Sequence, residues 1–284
     1  MKGTSIVSTL AMVVAAVGGV AAPAAAYTPA YTFAGVADWD RDGHQDIVAR
    51  GTNGDLWLYP GQSKRGYSSA NRVRIGNGWQ AFTFAGVADW DRDGHQDIIA
   101  RNNNDGNLWL YPGQSKRGYS SATPVKIGNG WGPFTFADVA DWDRDGHQDI
   151  VARNANRNVL LYPGQSKRGY SSASPVQIGN GWGPFTFAGV TDWDKDRHQD
   201  IVARGGNGDL WLYPGQSKRG YSSATPVRIG NGWGPFTFAD VADWDRDGHQ
   251  DVVARDANGY LLLYPGQSKR GYSAALPVRI GNGW

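Results

Sequence analysis

The sequence predicts an all-β protein, a five-bladed β-propeller built from four-stranded antiparallel blades. A nine-residue acidic motif, first seen as DWDRDGHQD, begins at residues 38, 89, 141, 192 and 243, so the chain repeats about every 51 residues. Each repeat contains four short β-like runs, and none shows sustained helical periodicity. A period of this length is typical of propellers, solenoids and arrays. An open β-solenoid is the alternative, but it would expose two apolar end faces without capping repeats.

The first 26 residues are interpreted as a targeting segment rather than as part of the fold. Lys2 precedes an apolar run over 6–20, and the segment ends in Ala24, Ala25 and Ala26. A basic start, an apolar middle and a small-residue end are typical of a secretory signal peptide. We therefore predict a signal peptide at 1–26 and a secreted, extracellular β-propeller at 27–284. No apolar run reaches the ~20 residues of a membrane-spanning helix.

The first repeat shows how the four strands are predicted. Residues 31–38 form a short β-like run before the acidic motif, and 46–50 form the next run after it. Residues 55–59 follow a glycine-rich turn and end at a Pro-Gly pair, and 71–76 alternate polar and apolar side chains. Small side chains in the first run suit an innermost strand. The alternation of polar and apolar side chains in the fourth run suits an outer strand with one solvent-exposed face.

The tryptophan that ends each repeat predicts how the ring closes. The chain ends at Trp284, the same point of the repeat as Trp79, Trp131, Trp182 and Trp233. The beginning of the first repeat should therefore lie beside the end of the fifth.

The acidic motifs have the composition of calcium-binding loops. Calcium takes 6–8 oxygen ligands from carboxylates, carbonyls and water, and a loop with oxygens at positions 1, 3, 5, 7 and 9 can wrap such an ion. Glycine at position 6 permits a sharp turn, and position 7 would contribute its backbone carbonyl. The predicted ligands are Asp38, Asp40, Asp42, His44 and Asp46; Asp89, Asp91, Asp93, His95 and Asp97; Asp141, Asp143, Asp145, His147 and Asp149; Asp192, Asp194, Asp196, His198 and Asp200; and Asp243, Asp245, Asp247, His249 and Asp251.

One loop departs from the pattern. Arg197 stands at position 6 of the loop that starts at Asp192, where the other four loops have glycine. A non-glycine residue at positive φ costs on the order of 1 kcal/mol, and the arginine brings positive charge toward the ion. We therefore predict up to five calcium sites, with the Asp192 site the weakest.

The motif D-x-D-x-D-G-x-x-D, following Phe33-Ala34-Gly35, resembles the FG-GAP (VCBS-type) repeats of the integrin α-chain propeller and of many secreted bacterial proteins. The resemblance covers residues 31–284. It implies a calcium ion in the loop between the first and second strands of each blade. The integrin propeller has seven blades, so the number of blades does not carry over.

The composition leaves few groups for catalysis. All 26 acidic residues are aspartates, and cysteine is absent. All five histidines lie at position 7 of the acidic loops, so none remains for a Ser-His-Asp arrangement. We expect a binding protein rather than an enzyme.

A second repeated element carries much of the positive charge. Filling five sites with Ca²⁺ would raise the net charge of residues 27–284 from about +1 to about +11. A Gly-Gln-Ser-Lys-Arg-Gly-Tyr segment joins the third and fourth strands, on the same face as the acidic loops. Its cations could attract an anionic cell-surface polymer, or could simply offset the aspartates. We expect no nucleic acid partner, because the chain has no recognition motif. The cations are Lys64, Arg65, Lys116, Arg117, Lys167, Arg168, Lys218, Arg219, Lys269 and Arg270.

The connection Gly-Asn-Gly-Trp should lie on the opposite face. An aromatic ring beside an amide suits sugar recognition, although each tryptophan could instead wedge between blades as core. Trp57, Trp109 and Trp211 are expected in the core, because Leu160 and Leu262 replace them elsewhere. The candidate ligand-binding residues are Asn77, Trp79, Asn129, Trp131, Asn180, Trp182, Asn231, Trp233, Asn282 and Trp284.

Near-identical blades favour a multivalent binding module, because several weak copies of one site raise avidity for a repetitive ligand. We predict a lectin-like module for carbohydrate. The alternative is a protein–protein interaction scaffold or a subunit of an extracellular assembly.

Overall fold

The computed structural model describes residues 30–61, 71–113, 123–164, 174–215, 225–266 and 276–284. The predicted signal segment at 1–26 and the five Lys-Arg pairs lie outside these residues. Among the described residues, no helix is both long and apolar enough to cross a membrane.

In the described residues, twenty strands form five separate four-stranded antiparallel sheets, which we call blades 1 to 5, and the predicted fold is confirmed. Blade 1 contains β1 (Tyr31–Ala37), β2 (Asp46–Gly51), β3 (Leu56–Tyr59) and β4 (Val73–Gly76). Blade 2 contains β5 (Phe82–Ala88), β6 (Asp97–Asn102), β7 (Leu108–Tyr111) and β8 (Val125–Gly128). Blade 3 contains β9 (Thr135–Ala140), β10 (Asp149–Arg153), β11 (Val159–Tyr162) and β12 (Val176–Gly179). Blade 4 contains β13 (Thr186–Thr191), β14 (Asp200–Arg204), β15 (Leu210–Tyr213) and β16 (Val227–Gly230). Blade 5 contains β17 (Thr237–Ala242), β18 (Asp251–Arg255), β19 (Leu261–Tyr264) and β20 (Val278–Gly281).

Each blade is a simple meander, so strand order in the sheet follows strand order in the chain. The first strands of neighbouring blades contact one another around the whole ring, and β1 contacts β17. The first strand is therefore innermost, as predicted. A β-bulge interrupts its pairing with the second strand, between Phe33 and Gly35 in blade 1, and this irregularity bends the strand near the axis.

The hydrophobic core lies between blades. In the boundary between blades 1 and 2, Val48, Leu56, Leu58 and Trp79 pack against residues of blade 2 that include Ile98. Four equivalent clusters fill the other boundaries. We call each boundary a seam. No blade buries both of its faces alone, so the blades stabilise one another through the seams.

An arginine at the end of the second strand ties each blade to the connection that follows it. Arg50 donates from Nη1 to the carbonyl oxygens of Trp79 (2.8 Å) and Phe82 (2.6 Å). In blade 5, Arg255 donates to the carbonyl oxygens of Trp284 (2.8 Å) and Tyr31 (2.9 Å). Arg255 thus joins the last residue of the chain to the first strand, and the predicted ring closure is confirmed.

Candidate functional site

Each acidic loop lies between the first and second strands, and its aspartates fold the loop around themselves. In the first loop, Asp38 accepts the N–H of Gly43 (3.0 Å), Asp40 accepts that of Asp42 (3.1 Å), and Asp42 accepts that of His44 (2.9 Å). The same bonds recur in the other four loops. The alternate carboxylates are therefore turned inward.

The aspartate at position 9 organises the loop backbone. Asp46 is fully buried. Its Oδ2 accepts the N–H of Trp39 (2.9 Å) and Asp40 (3.3 Å), and its Oδ1 accepts that of Gly61 (2.7 Å). Burial raises the pKa of Asp46 to about 7. Asp97, Asp149, Asp200 and Asp251 show the same shift to about 7. A nearby cation would favour the ionised form of this carboxyl.

The first aspartate of each loop supplies the clearest sign of an incomplete site. Its Oδ1 is buried and has no hydrogen-bond partner among the described residues, in Asp38, Asp89, Asp141, Asp192 and Asp243 alike. A buried carboxylate oxygen without a partner is costly unless a cation or a donor satisfies it.

Three carboxylates converge in every loop, with one oxygen from each lying within 4.8 Å of the others. In blade 1 they are those of Asp38, Asp40 and Asp42, and in the other blades position 9 takes the place of position 5. An all-oxygen set of this kind fits a hard divalent cation. Each blade thus has a partly buried aspartate cluster that could hold a metal ion.

Backbone conformation supports the predicted role of position 6. Gly43, Gly94, Gly146 and Gly248 all have φ of 87°, and Arg197 is held at 73°. Position 4 also has positive φ, between 60° and 62°, although it holds arginine or lysine. Its side chain reaches the next loop, since Arg41 Nη2 lies 2.4 Å from the place where a Cβ on Gly94 would stand. No residue type in the motif signals this second strained position.

The Gly-Asn-Gly-Trp tryptophans do not form exposed aromatic plates. They are only 6–7% exposed, whereas the asparagine two residues earlier is exposed in every blade. Each ring packs on aromatic side chains of the next blade, as Trp79 does on Phe82 (5.2 Å), Phe84 (5.6 Å) and Tyr111 (4.5 Å between centroids). A Cβ on Gly76 would stand 2.5 Å from Trp79 Nε1, so glycine there makes room for the indole. The interpretation of these rings as exposed plates is wrong, and the wedge alternative holds.

Trp57, Trp109 and Trp211, expected in the core, are only partly buried. The tryptophan at position 2 of the acidic loop is buried instead, at 4–6% exposure: Trp39, Trp90, Trp142, Trp193 and Trp244. Their indole N–H groups have no partner among the described residues.

The seams contain cavities lined by this indole and by the Gly-Asn-Gly-Trp segment. A cavity of about 340 Å³ lies between blades 1 and 2, against Trp39, Asn77, Trp79, Tyr111 and Pro124. An equivalent cavity of about 210 Å³ lies between blades 4 and 5, against Trp193, Asn231, Trp233, Tyr264 and Pro277. The predicted asparagine and tryptophan therefore do meet at one place, although the tryptophan forms a wall rather than an exposed plate.

The sequence did not predict two partly buried carboxyls on the innermost strands. Asp138 and Asp240 stand on innermost strands where blades 1, 2 and 4 have Gly35, Gly86 and Gly189. Asp138 accepts the N–H of Val190 in blade 4 (3.1 Å). Asp240 accepts that of Val36 in blade 1 (2.9 Å). Each carboxyl thus links its blade to the next.

The FG-GAP-like repeat family matches the chain at residues 38–100, 89–152, 141–203 and 192–254. The chain belongs to this family. Its fold, an FG-GAP repeat β-propeller, is one that typically serves binding or scaffolding rather than catalysis.

Comparison with individual proteins adds little to the family assignment. No curated protein matches the chain. Among solved structures, Raptor of Chaetomium thermophilum is similar at 10% identity and a TM-score of 0.44, over 88% of this chain and 21% of that one. BBS1N in complex with ARL6DN is similar at 12% identity and 0.40, over 84% and 79%. A polycomb repressive complex 2 structure is similar at 11% identity and 0.38, over 86% and 56%. This chain therefore spans about a fifth of the Raptor chain, and the likenesses are too distant to bear on function.

Proposed function

We propose that this FG-GAP propeller is a secreted, calcium-stabilised, multivalent binding module for carbohydrate. The observation that carries the proposal is the aromatic cavity found in two of the seams, with an exposed asparagine beside it. Sugar rings stack their C–H faces on aromatic side chains, and amides bond to hydroxyl groups. Because the repeats are nearly identical, several such sites on one ring would favour a polymer over a single sugar.

The metal that we propose for the acidic loops is Ca²⁺, held by Asp38, Asp40, Asp42, the backbone carbonyl of His44 and Asp46. The equivalent residues would act in blades 2 to 5. The converging oxygens and the buried, unpartnered Oδ1 support this assignment. Calcium would neutralise the loop and hold it in shape. We give the ion a structural role, because the chain has no cystine to brace its loops.

A glycan array, read with calcium and again with a chelator, tests the carbohydrate proposal. The seam tryptophans are poor targets for mutation because they are core residues. The informative variant replaces the five exposed asparagines, Asn77, Asn129, Asn180, Asn231 and Asn282, by alanine. Asn156→Ala, at an exposed turn position outside the Gly-Asn-Gly-Trp segments, is the control. We expect the variant with all five substitutions to lose glycan binding and the control to keep it. A protein that ignores all glycans but co-purifies with one protein would instead be a docking scaffold.

Secretion has a separate test. The composition of 1–26 supports removal of that segment during export. Expression of the whole chain in a secreting host should release protein whose N-terminus is Tyr27. Retention of the intact chain inside the cell would contradict the proposal.

A further inference from the structure

The seam that closes the ring, between blades 5 and 1, differs chemically from the other four. Pro124, Pro175, Pro226 and Pro277 begin the fourth-strand segment of blades 2 to 5, whereas blade 1 has Arg72 at this place. Phe82, Phe134, Phe185 and Phe236 enter the first strand of those blades, whereas blade 1 has Tyr31.

The aromatic framework is nevertheless the same in both kinds of seam. Tyr59 and Trp284 lie 4.4 Å apart between ring centroids, and Tyr111 and Trp79 lie 4.5 Å apart. Tyr31 meets Tyr59 edge-on at 5.7 Å, as Phe82 meets Tyr111. The closing seam thus keeps the aromatic wall and replaces an apolar rim by an arginine and a phenol.

Neighbouring side chains hold the guanidinium of Arg72 in place. Its Nη1 donates to the hydroxyl oxygens of Tyr31 and Tyr59, the latter at 3.1 Å. The guanidinium carbon lies 4.2 Å from the centroid of the Trp57 ring. Burial raises the pKa of Tyr59 above its ordinary range, so this phenol stays neutral. The arginine is therefore pre-positioned, and Nε and Nη2 have no partner among the described residues.

The positive charge of Arg72 has no carboxylate to pair with. Every aspartate of the chain lies within the described residues, and none forms an ion pair with Arg72. The nearby Arg74, two residues along the same strand, pairs with Asp55 at 3.0 Å. An exposed, oriented and unpaired guanidinium beside aromatic rings is a receptor for a planar oxyanion.

We propose that the closing seam is an anion-recognising subsite, in which Arg72 binds the carboxylate of an acidic saccharide. The subsite rests on the proposed carbohydrate function, and it adds a distinction between seams: those with proline and phenylalanine at the rim would take a neutral ring, and the closing seam would take a charged ring. The ligand class that follows is a polysaccharide containing uronic acid residues.

Calorimetry on the full chain with calcium tests the subsite. The probes are trigalacturonate and its methyl ester, which keeps the sugar rings and removes the charge. We expect one site per chain that binds trigalacturonate at least tenfold more tightly than the ester, with an advantage that falls as salt rises. Arg72→Pro installs the residue of the other four blades, so it should fold. It should abolish the tenfold preference and leave binding of the ester unchanged.

The converse variant is the sharper control. Phe82→Tyr with Pro124→Arg copies the closing seam into the seam between blades 1 and 2, and it should raise the number of trigalacturonate sites from one to two. Unchanged trigalacturonate binding by Arg72→Pro, with ester binding intact, would overturn the subsite and leave the carbohydrate function standing. Acetate or inorganic phosphate that binds as tightly as trigalacturonate, without any saccharide binding, would overturn the carbohydrate function and identify a site for free anions.

Discussion

The acidic loops and the seams recur with the same period, yet they differ in what completes them. The seams are held by contacts within the chain: the Gly-Asn-Gly-Trp tryptophans are buried, glycines make room for them, and arginines satisfy the connecting carbonyls. What the seams leave without a described partner is a neutral indole N–H in each blade. The loops are not complete, because each holds converging carboxylates and a buried oxygen without a described partner. The seams therefore fix the ring by packing, whereas the loops offer buried carboxylate oxygens that a cation could satisfy.

The largest expected effect is that of removing calcium. A site filled at a hundred times its Kd contributes about 2.7 kcal/mol, so five sites would contribute on the order of 13 kcal/mol. We expect a chelator to lower the melting temperature by tens of degrees, and excess Ca²⁺ to restore it. Differential scanning calorimetry with and without chelator measures this, and Mg²⁺, which demands tighter octahedral geometry, should restore much less. An unchanged melting temperature would remove the distinction between loops and seams.

Removing a seam indole is the next largest effect, and calcium should not compensate for it. Trp182→Ala should cost about 3–5 kcal/mol, because a buried aromatic side chain leaves a cavity. Trp211→Leu is the matched control, since blades 3 and 5 carry Leu160 and Leu262 at the equivalent place, and it should cost under about 1 kcal/mol. Urea unfolding in saturating calcium measures both. Equal costs would mean that the exposure of the two rings does not reflect their roles.

The sequence predicts whatever depends on one repeat alone. Four strands, their order and the inward-facing aspartates follow from local pattern and from the period, and the strand bounds of blade 1 differ from the prediction by two residues at most. The sequence also predicts that the ring closes, but it does not predict which side chains meet across a seam. That Trp79 is wedged beside Tyr111, or that Arg50 holds the carbonyl of Phe82, depends on how one blade is placed against the next. The sequence does not predict the unpaired charge of Arg72 either, because this also depends on the placement of neighbouring side chains.

The fourth loop offers a smaller test within the loops themselves. Arg197→Gly should strengthen calcium binding in blade 4 about fivefold to tenfold, because it relieves strain of about 1 kcal/mol and removes a positive charge near the ion. Gly146→Arg in blade 3 is the converse variant and should weaken that site by a similar factor. We expect calcium titration by calorimetry to resolve one weak site among five in the native protein and two in Gly146→Arg. Five equal sites in the native protein would show that position 6 does not control affinity.

The smallest expected effect concerns the axial carboxyls, those of Asp138 and Asp240. They link neighbouring blades, but their pKa values are raised as those of the buried loop aspartates are. Burial raises the pKa of Asp240 to about 6, and burial together with the charge of Asp240 raises that of Asp138 well above its ordinary value. A carboxyl whose pKa is higher in the folded than in the unfolded chain stabilises the fold below the unfolded value, near 4, and this contribution is lost as pH rises through the folded value.

The native protein should therefore lose stability between pH 5 and pH 8 relative to the double variant Asp138→Gly/Asp240→Gly, which carries the glycine of blades 1, 2 and 4. The difference should be on the order of 1 kcal/mol, since two backbone hydrogen bonds to each ionised carboxyl offset part of the cost of burial. Unfolding free energies at both pH values, each in saturating calcium so that loop titration is common to both proteins, give the measurement. Parallel pH profiles for the two proteins would show that the axial carboxyls keep ordinary pKa values and that only the loops carry uncompensated charge.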